Sequence, residues 1–384
     1  MNLRRSQTDA MQTSTPELVA EIRAEIDASG RMTFARFMEL ALTHPQYGYY
    51  TATDAAPGFG GDFLTAPETH SMFGTLLARQ IAECWERLER PSPFVVREFG
   101  AGTATLALTV LAGLRDESPD VLHALRYELS DVNDARLAEG LAHAEAAGFA
   151  DTVARATDEP VVGVLLANEL LDALPVHRLV VCGDELREAY VVWRDDWFAE
   201  ETGELSDPRL AEPLAGLPLI DGQRLEVSLA AAQWAETACR TLERGYAILI
   251  DYGYEAAERY DPVERRDGLL RTYWQHIAGD NPYDRVGLQD ITAHVDFSAV
   301  QRAAERAECD ILGLTTQAHF VAGLGADELL MRMQQTAEPL EYIRARETLM
   351  HLLDPRGLGR FRVLIAGRGV ERDPPLRGLA FTWP

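Results

Sequence analysis

Three short stretches carry residue types able to bind or transform a ligand. The first is Val95-Val96-Arg97-Glu98-Phe99-Gly100-Ala101-Gly102-Thr103-Ala104-Thr105-Leu106, an apolar strand running through a glycine pair into a helix. Glycine lets the chain turn sharply and lets a ligand rest on bare backbone. The helix that follows turns its first N–H groups toward a polar or anionic portion of that ligand. Such a loop, at the carboxyl end of the first core strand, is where α/β sheets bind nucleotides. The second stretch is Tyr127-Glu128-Leu129-Ser130. Glu128 is read as ending the second strand, where a carboxylate accepts hydrogen bonds from both hydroxyls of a ribose. The third is Asn168-Glu169-Leu170-Leu171-Asp172, directly after the apolar strand Val161–Ala167. A helical turn there would set Glu169 and Asp172 on one face. Paired carboxylates can hold an acceptor group and take up its proton. Asn168 offers its amide to acceptor or cofactor.

The loop also discriminates between nucleotides. A dinucleotide fingerprint requires Gly or Ala at its sixth position, and Thr105 stands there. The acidic-x-Gly-x-Gly-x-Gly loop of S-adenosylmethionine (SAM) methyltransferases is matched by Glu98, Gly100 and Gly102, with Ala104 in place of the last glycine. SAM is therefore the expected cofactor, held by Glu98, Gly100, Ala101, Gly102 and Glu128. Asp158 is either the adenine-side carboxylate or an ordinary loop acid. Methyl transfer is an in-line displacement in which the cofactor brings its own leaving group, so the protein's part is to position and desolvate.

Composition narrows the partners. The chain has 384 residues, 47% of them hydrophobic and 25% charged, enough to bury a core. Its 61 acidic residues against 36 basic ones, all arginine, give a net charge of −25. That field repels phosphates, which disfavours nucleic acid, and suits a positively charged protein substrate. Cys84, Cys182, Cys239 and Cys309 lie far apart, without zinc spacing, so no metal is expected. No apolar run approaches the about 20 residues that span a bilayer. Met1–Pro16 has no hydrophobic stretch after Arg4 and Arg5, and Asp9 counts against a transit peptide. A frayed tail and a cytoplasmic location are the expectation.

Positioning these residues calls for an α/β fold. Strands are expected at Phe94–Phe99, Arg126–Leu129, Val153–Ala156, Val161–Ala167, His177–Cys182, Glu188–Trp193, Leu225–Ser228, Tyr246–Asp251 and Phe361–Ala366. Helices are expected at Glu17–Ala28, Phe34–Thr43 (capped by Thr33), Ser71–Glu89, Thr105–Leu114, Val132–Ala147 and Ala231–Leu242, and between Ala318 and Leu353. Strands alternating with helices imply a doubly wound, mostly parallel sheet. Asp196–Asp221 and Tyr254–Asp296 lack a clean period and read as excursions. The expected divisions are a helical region with a Gly-rich loop (1–92), a Rossmann-like core (93–253), an insertion (254–317) and C-terminal helices with a final strand (318–384).

Taken together the segments resemble the MidA-like SAM-dependent methyltransferases, a family that includes a mitochondrial methyltransferase assisting complex I assembly. The resemblance rests on Thr33–Leu42 with His44-Pro45-Gln46-Tyr47-Gly48-Tyr49-Tyr50, on Gly61–Glu68, on Glu98–Gly102, on Ala167–His177, on Asp251-Tyr252-Gly253 and on Asp290–Phe297, in family order over most of the chain. It implies a class I methyltransferase core with an N-terminal helical region and an inserted subdomain. It also implies that some members modify protein arginine, and that a respiratory complex subunit is a candidate partner. Glu169, Asp172 and Asn168 are the expected acceptor residues. Asp62 and Thr65, with Gly61, Phe63 and Glu68, are expected in a lid at the cofactor mouth. Asp290, Thr292, His294 and Asp296 would line one side of an extended segment, with Asp251 nearby. Tyr47, Tyr49 and Tyr50 read as packing residues and His177 as structural. Two alternatives stand beside this reading: a non-catalytic SAM-binding assembly factor, and a nicotinamide-dependent oxidoreductase, which Thr105 opposes. Oligomeric state is left open.

Overall fold

Apolar runs too short for helices and bounded by turn residues become the centre of a seven-stranded sheet. A computed structural model describes residues 14–52 and 71–381. The strands are β1 (Phe94–Phe99), β2 (Leu125–Ser130), β3 (Val153–Arg155), β4 (Val161–Asn168), β5 (Leu242–Asp251), β6 (Asp310–Thr316) and β7 (Arg362–Arg368), in the spatial order β6-β7-β5-β4-β1-β2-β3. β5, β4, β1, β2 and β3 run parallel, and β7 pairs antiparallel with both β5 and β6. β1, β4 and β5 are buried almost throughout, as continuous apolar runs covered on both faces should be. Helices α1 (Met72–Arg87), α2 (Thr105–Glu117) and α3 (Asp134–Ala146) contribute to the main core, where Phe73, Leu77, Val110, Leu111 and Leu137 pack with Phe94, Tyr127, Ile248 and Val363. This is the doubly wound, Rossmann-like architecture of class I methyltransferases.

The chain divides into two compact units that interleave along the sequence. The core unit is built from 71–170, 235–252 and 301–381; the second unit from 14–52, 171–234 and 253–300. The expected divisions ran consecutively, and two differences stand out. Helix α1 belongs with the core sheet rather than with an N-terminal region. Residues 171–234 leave the core for the second unit.

The second unit is mostly antiparallel. His177–Cys182 and Glu185–Arg194 pair as expected, but within a separate five-stranded sheet that also holds Met32–Thr33, Trp197–Gly203 and Arg224–Val227. The burial of His177–Cys182 alternates, the signature of a sheet with one face packed, whereas the core strands are buried on both. Helix Pro16–Ser29 and helix Phe34–Thr43 belong to this unit, the latter capped by Thr33, whose hydroxyl accepts the Arg36 N–H at 3.2 Å. Phe34, Phe37, Phe198 and Tyr283 form an aromatic centre with ring centroids 5.1–6.2 Å apart. The stretch without a clean period holds a three-stranded sheet of Leu270–Trp274, Ile277–Gly279 and Asp290–Ala293, together with the parallel pair Gly253–Tyr254 and Val295–Asp296. Strands this short show no periodicity in a sequence window. Among the described residues, no helix is long and apolar enough to cross a membrane.

One close approach holds the centre of the sheet. Gly163 pairs with Val95 on one side and Gly245 on the other. A Cβ on Gly163 would stand 1.9 Å from the Val95 carbonyl oxygen, and one on Gly245 would stand 1.9 Å from the Gly163 carbonyl oxygen. We expect Gly163→Ala to lower unfolding free energy by about 3 kcal/mol or more, because backbone has to move. Gly148→Ala, at φ +84° with nothing within 4 Å, costs only the left-handed penalty of about 1 kcal/mol. Denaturant melts of the two variants check this; similar losses for both would contradict the strand packing.

Candidate active site

The loop after β1 is built from left-handed residues. Gly100, Gly102 and Ala104 have φ of +69°, +52° and +66°. The Ala101 N–H reaches the Ser130 carbonyl at 3.1 Å, tying the loop to the end of β2, and the Ala104 N–H closes a turn on the Ala101 carbonyl at 2.8 Å. α2 then starts without a side-chain cap. Among the described residues, a Cβ on Gly102 would meet Arg136 Nη2 alone, at 3.9 Å, and one on Gly100 would meet Leu170 Cδ1 at 3.2 Å. Among the described residues, the backbone at Gly102 thus faces open space. Ala104, where the family pattern has glycine, bears a left-handed penalty of about 1–2 kcal/mol. Its methyl is fully buried, which returns about 0.8 kcal/mol, so the departure costs the fold little.

Two acids expected to touch the cofactor have other partners. Glu98 is 3% exposed and accepts the Tyr127 hydroxyl at 2.6 Å. Burial raises its pKa from the ordinary 4.5 to about 7; the Tyr127 hydrogen bond works against this and the charge of Asp131 adds to it. Glu128 is not at the strand mouth, because β2 runs two residues further, to Ser130. It lies opposite Arg97 in the parallel register and is 1% exposed. Its carboxylate is clasped by Arg97 at 2.7 Å on Oε2 and by Arg126 at 3.0 Å on Oε1. Asp158, the adenine-side candidate, is exposed in the bend after β3.

Sequence reasoning passed over the acid that does stand at the mouth of β2. Asp131 Oδ2 accepts the Gly102 N–H and Oδ1 accepts the Asn133 N–H, each at 2.8 Å. Asn133 in turn caps α3 through the Ala135 and Arg136 N–H groups. The signal was present in Ser130-Asp131-Val132-Asn133, an acid just past a strand with an Asx cap two residues on.

On the other side of the loop, β4 ends at Asn168. Glu169 is left-handed at φ +52°, and its N–H reaches the Ile250 carbonyl at 2.9 Å. Asn168 Nδ2 donates to Glu169 Oε1 at 3.1 Å, while the buried Asn168 Oδ1 has no donor among the described residues. With Leu170 against Gly100, the core unit brings Asn168 and Glu169 beside the glycine loop. The expected helical turn from Glu169 to Asp172 does not form. Its left-handed first residue breaks it, and the 3-10 turn Leu171–Ala173 begins only afterwards.

Asp172 belongs to the second unit, 6% exposed. In that unit the Tyr50 hydroxyl donates to the fully buried Asp290 at 2.7 Å. Burial drives the Tyr50 phenol well above its usual pKa, and the charges of Asp290 and Asp172 add to the rise. Tyr50 therefore has a polar role beyond packing. The expected extended run from Asp290 to Asp296 is interrupted at His294, which stacks on Tyr254 with centroids 5.4 Å apart. Asp296 accepts the Ala299 N–H at the start of the next helix. Thr292 is buried on the same strand as Asp290, and Asp251 is buried at the end of β5. His177 pairs with Glu188 at 2.8 Å; burial raises the Glu188 pKa, but hydrogen bonds from His177 and Ser206 outweigh it and hold the carboxyl below its usual value. Gly61, Asp62, Phe63, Thr65 and Glu68 lie outside the described residues. Among those described, no group of three or more His, Cys, Asp or Glu side chains is placed to hold a metal.

Known proteins share this architecture. A family model described as "Putative S-adenosyl-L-methionine-dependent methyltransferase" matches residues 76–315. The Drosophila melanogaster "Protein arginine methyltransferase NDUFAF7 homolog, mitochondrial" is 30% identical, covering 92% of this chain and 85% of the relative. The Danio rerio "Protein arginine methyltransferase NDUFAF7, mitochondrial" is 28% identical, covering 93% and 89%. A Burkholderia thailandensis protein crystallised with S-adenosyl-homocysteine superposes with a TM-score of 0.88 at 33% identity, covering 97% of this chain and 96% of that one. The cytoplasmic location expected from the sequence is withdrawn, because these curated relatives are named mitochondrial. That expectation rested on the composition of the first residues, which encodes no address by itself. A glycine loop on a β1-α2 turn, a strand order with an inserted antiparallel β7, and a family match over more than half its length make the chain a member of the S-adenosyl-L-methionine-dependent methyltransferase family.

Proposed function

We propose that this chain binds SAM on the Gly100–Gly102 loop and methylates an arginine side chain of a protein, with a respiratory complex I subunit as the acceptor. One observation carries the cofactor reading: the loop after β1 turns through left-handed backbone at Gly100 and Gly102, and among the described residues a Cβ on Gly102 would meet nothing nearer than 3.9 Å. SAM supplies the methyl group and leaves as a neutral thioether. Gly100, Ala101 and Gly102 hold the nucleoside against main chain. The loop is ill suited to a pyrophosphate, because the Asp131 carboxylate already occupies the Gly102 N–H that such an anion would need. That speaks against the nicotinamide alternative.

On the acceptor side, Glu169 and the orphaned amide oxygen of Asn168 are hydrogen-bond acceptors next to the loop. We assign Glu169 to orient the guanidinium and take up its proton, and Asn168 to accept a further N–H. Asp172 is assigned to the acceptor side within the second unit. Arginine as the acceptor is supported by the names of the relatives, and the net charge of −25 attracts a basic segment. The complex I subunit follows from the family resemblance. Glu98 lies beneath the loop, where its ionisation tunes stability.

Three variants test these assignments. Gly102→Ala has room in the protein, so it should fold with a loss of about 1 kcal/mol yet bind SAM at least about tenfold more weakly by calorimetry; wild-type affinity would remove the loop from the site. Glu169→Gln should bind SAM normally but transfer labelled methyl to an arginine-containing acceptor at least about a hundredfold more slowly; undiminished transfer would exclude Glu169. For Glu98, the folded pKa of about 7 lies above the unfolded 4.5. The neutral carboxyl therefore stabilises the fold fully below pH 4.5, and this contribution, about 3 kcal/mol, disappears as pH rises through 7. Unfolding free energy should fall between pH 5 and 8 in the wild type and fall less in Glu98→Gln; parallel curves would contradict the buried, protonated state.

A further inference from the structure

Among the acids at the carboxyl ends of the core strands, Asp131 is distinguished by what its two oxygens touch. Oδ2 takes the Gly102 N–H and Oδ1 the Asn133 N–H, both at 2.8 Å. One side chain thus bridges the cofactor loop and the first turn of α3. Two neighbouring acids are engaged elsewhere: Glu128 is held by Arg97 and Arg126, and Asp134 points its carboxylate to Arg155. Gly102 needs such support. A glycine at φ +52° with open space before it has several backbone conformations within easy reach. The Ala101 N–H to Ser130 carbonyl bond fixes the residue before it, and the contact of the His143 ring with the Thr103 carbonyl, at 3.3 Å, supports the residue after it.

We propose that Asp131 is a positioning residue that locks the Gly102 peptide in the orientation on which the SAM nucleoside rests. The inference builds on the cofactor reading above. The bond is charge-assisted, so it holds more firmly than a neutral one, and an N–H committed to protein leaves the loop to meet its ligand through shape. The order of the loop then exists before binding and need not be acquired on binding. The residue acts through Gly102, so its loss should appear in cofactor affinity and leave the chemical step alone. Asp131 is also one of the charges that raise the Glu98 pKa, which provides an independent readout of its place beside the loop.

The test compares Asp131→Ala, Asp131→Asn and Asn133→Ala in the full chain. Calorimetry should show SAM and S-adenosylhomocysteine both bound at least about tenfold more weakly by Asp131→Ala, the scale of one charge-assisted hydrogen bond. KM for SAM should rise by a similar factor, with kcat at saturating SAM within about twofold of wild type. Asn133→Ala removes the α3 cap and should lower Tm while leaving SAM affinity intact. Asp131→Asn covers the case in which the alanine variant does not fold: it retains one acceptor oxygen for two N–H groups, so its SAM affinity should also fall, and the Glu98 carboxyl should titrate at lower pH. Unchanged SAM affinity in the folded Asp131 variants, or an equal loss in Asn133→Ala, overturns the proposal. Failure of the wild type to bind SAM would instead overturn the cofactor reading on which it builds.

Discussion

The structure depends on keeping a short piece of main chain uncovered and still. Gly100 and Gly102 adopt left-handed angles, and the proposed role needs that backbone open to a nucleoside; among the described residues a Cβ on Gly102 would meet nothing nearer than 3.9 Å. A flexible loop would satisfy the first need and fail the second. The fold resolves this by gripping the loop from its edges: the Ser130 carbonyl, the Asp131 carboxylate, the buried methyl of Ala104 and the Leu170 side chain all touch it. They come from the ends of β2 and β4 and the start of α2, so the loop's geometry is shared by neighbouring elements of the parallel sheet.

The same sheet explains why acidic residues cluster near the loop without all serving the ligand. Glu98 and Tyr127 sit beneath it as a buried hydrogen-bonded pair, and Glu128 with Arg97 and Arg126 forms an ionic strut between neighbouring strands. A buried carboxylate with two guanidinium partners is satisfied, and its removal would leave the buried Arg97 guanidinium without its carboxylate. Conversion of a strand-end acid into a strut leaves the strand mouth to Asp131.

Much of this was legible in the residues. The core strands, the helix after the glycine loop and the Thr33 cap follow from apolar run length and from the chemistry of glycine and threonine. Two features were not. Glu128 reads as a strand-end acid because periodicity places strand ends only to within a few residues, and here the two residues to Ser130 decide what the side chain touches. Glu169 and Asp172 read as neighbours on a helix because nothing in Asn168-Glu169-Leu170 signals a left-handed glutamate; that angle is set by the Ile250 carbonyl, which is remote in sequence. The second unit was the least legible part. Its strands between Tyr254 and Asp296 span two to five residues, and its aromatic centre joins residues more than two hundred positions apart.

The central claim is that the nucleoside lies on bare backbone after the first core strand. A crystal structure of this chain with S-adenosylhomocysteine tests it most directly. The account predicts the nucleoside packed against the main chain of Gly100, Ala101 and Gly102, with Gly102 still hydrogen-bonded to Asp131. Density for the nucleoside elsewhere, or a loop whose Gly102 peptide has turned away from Asp131, would contradict it.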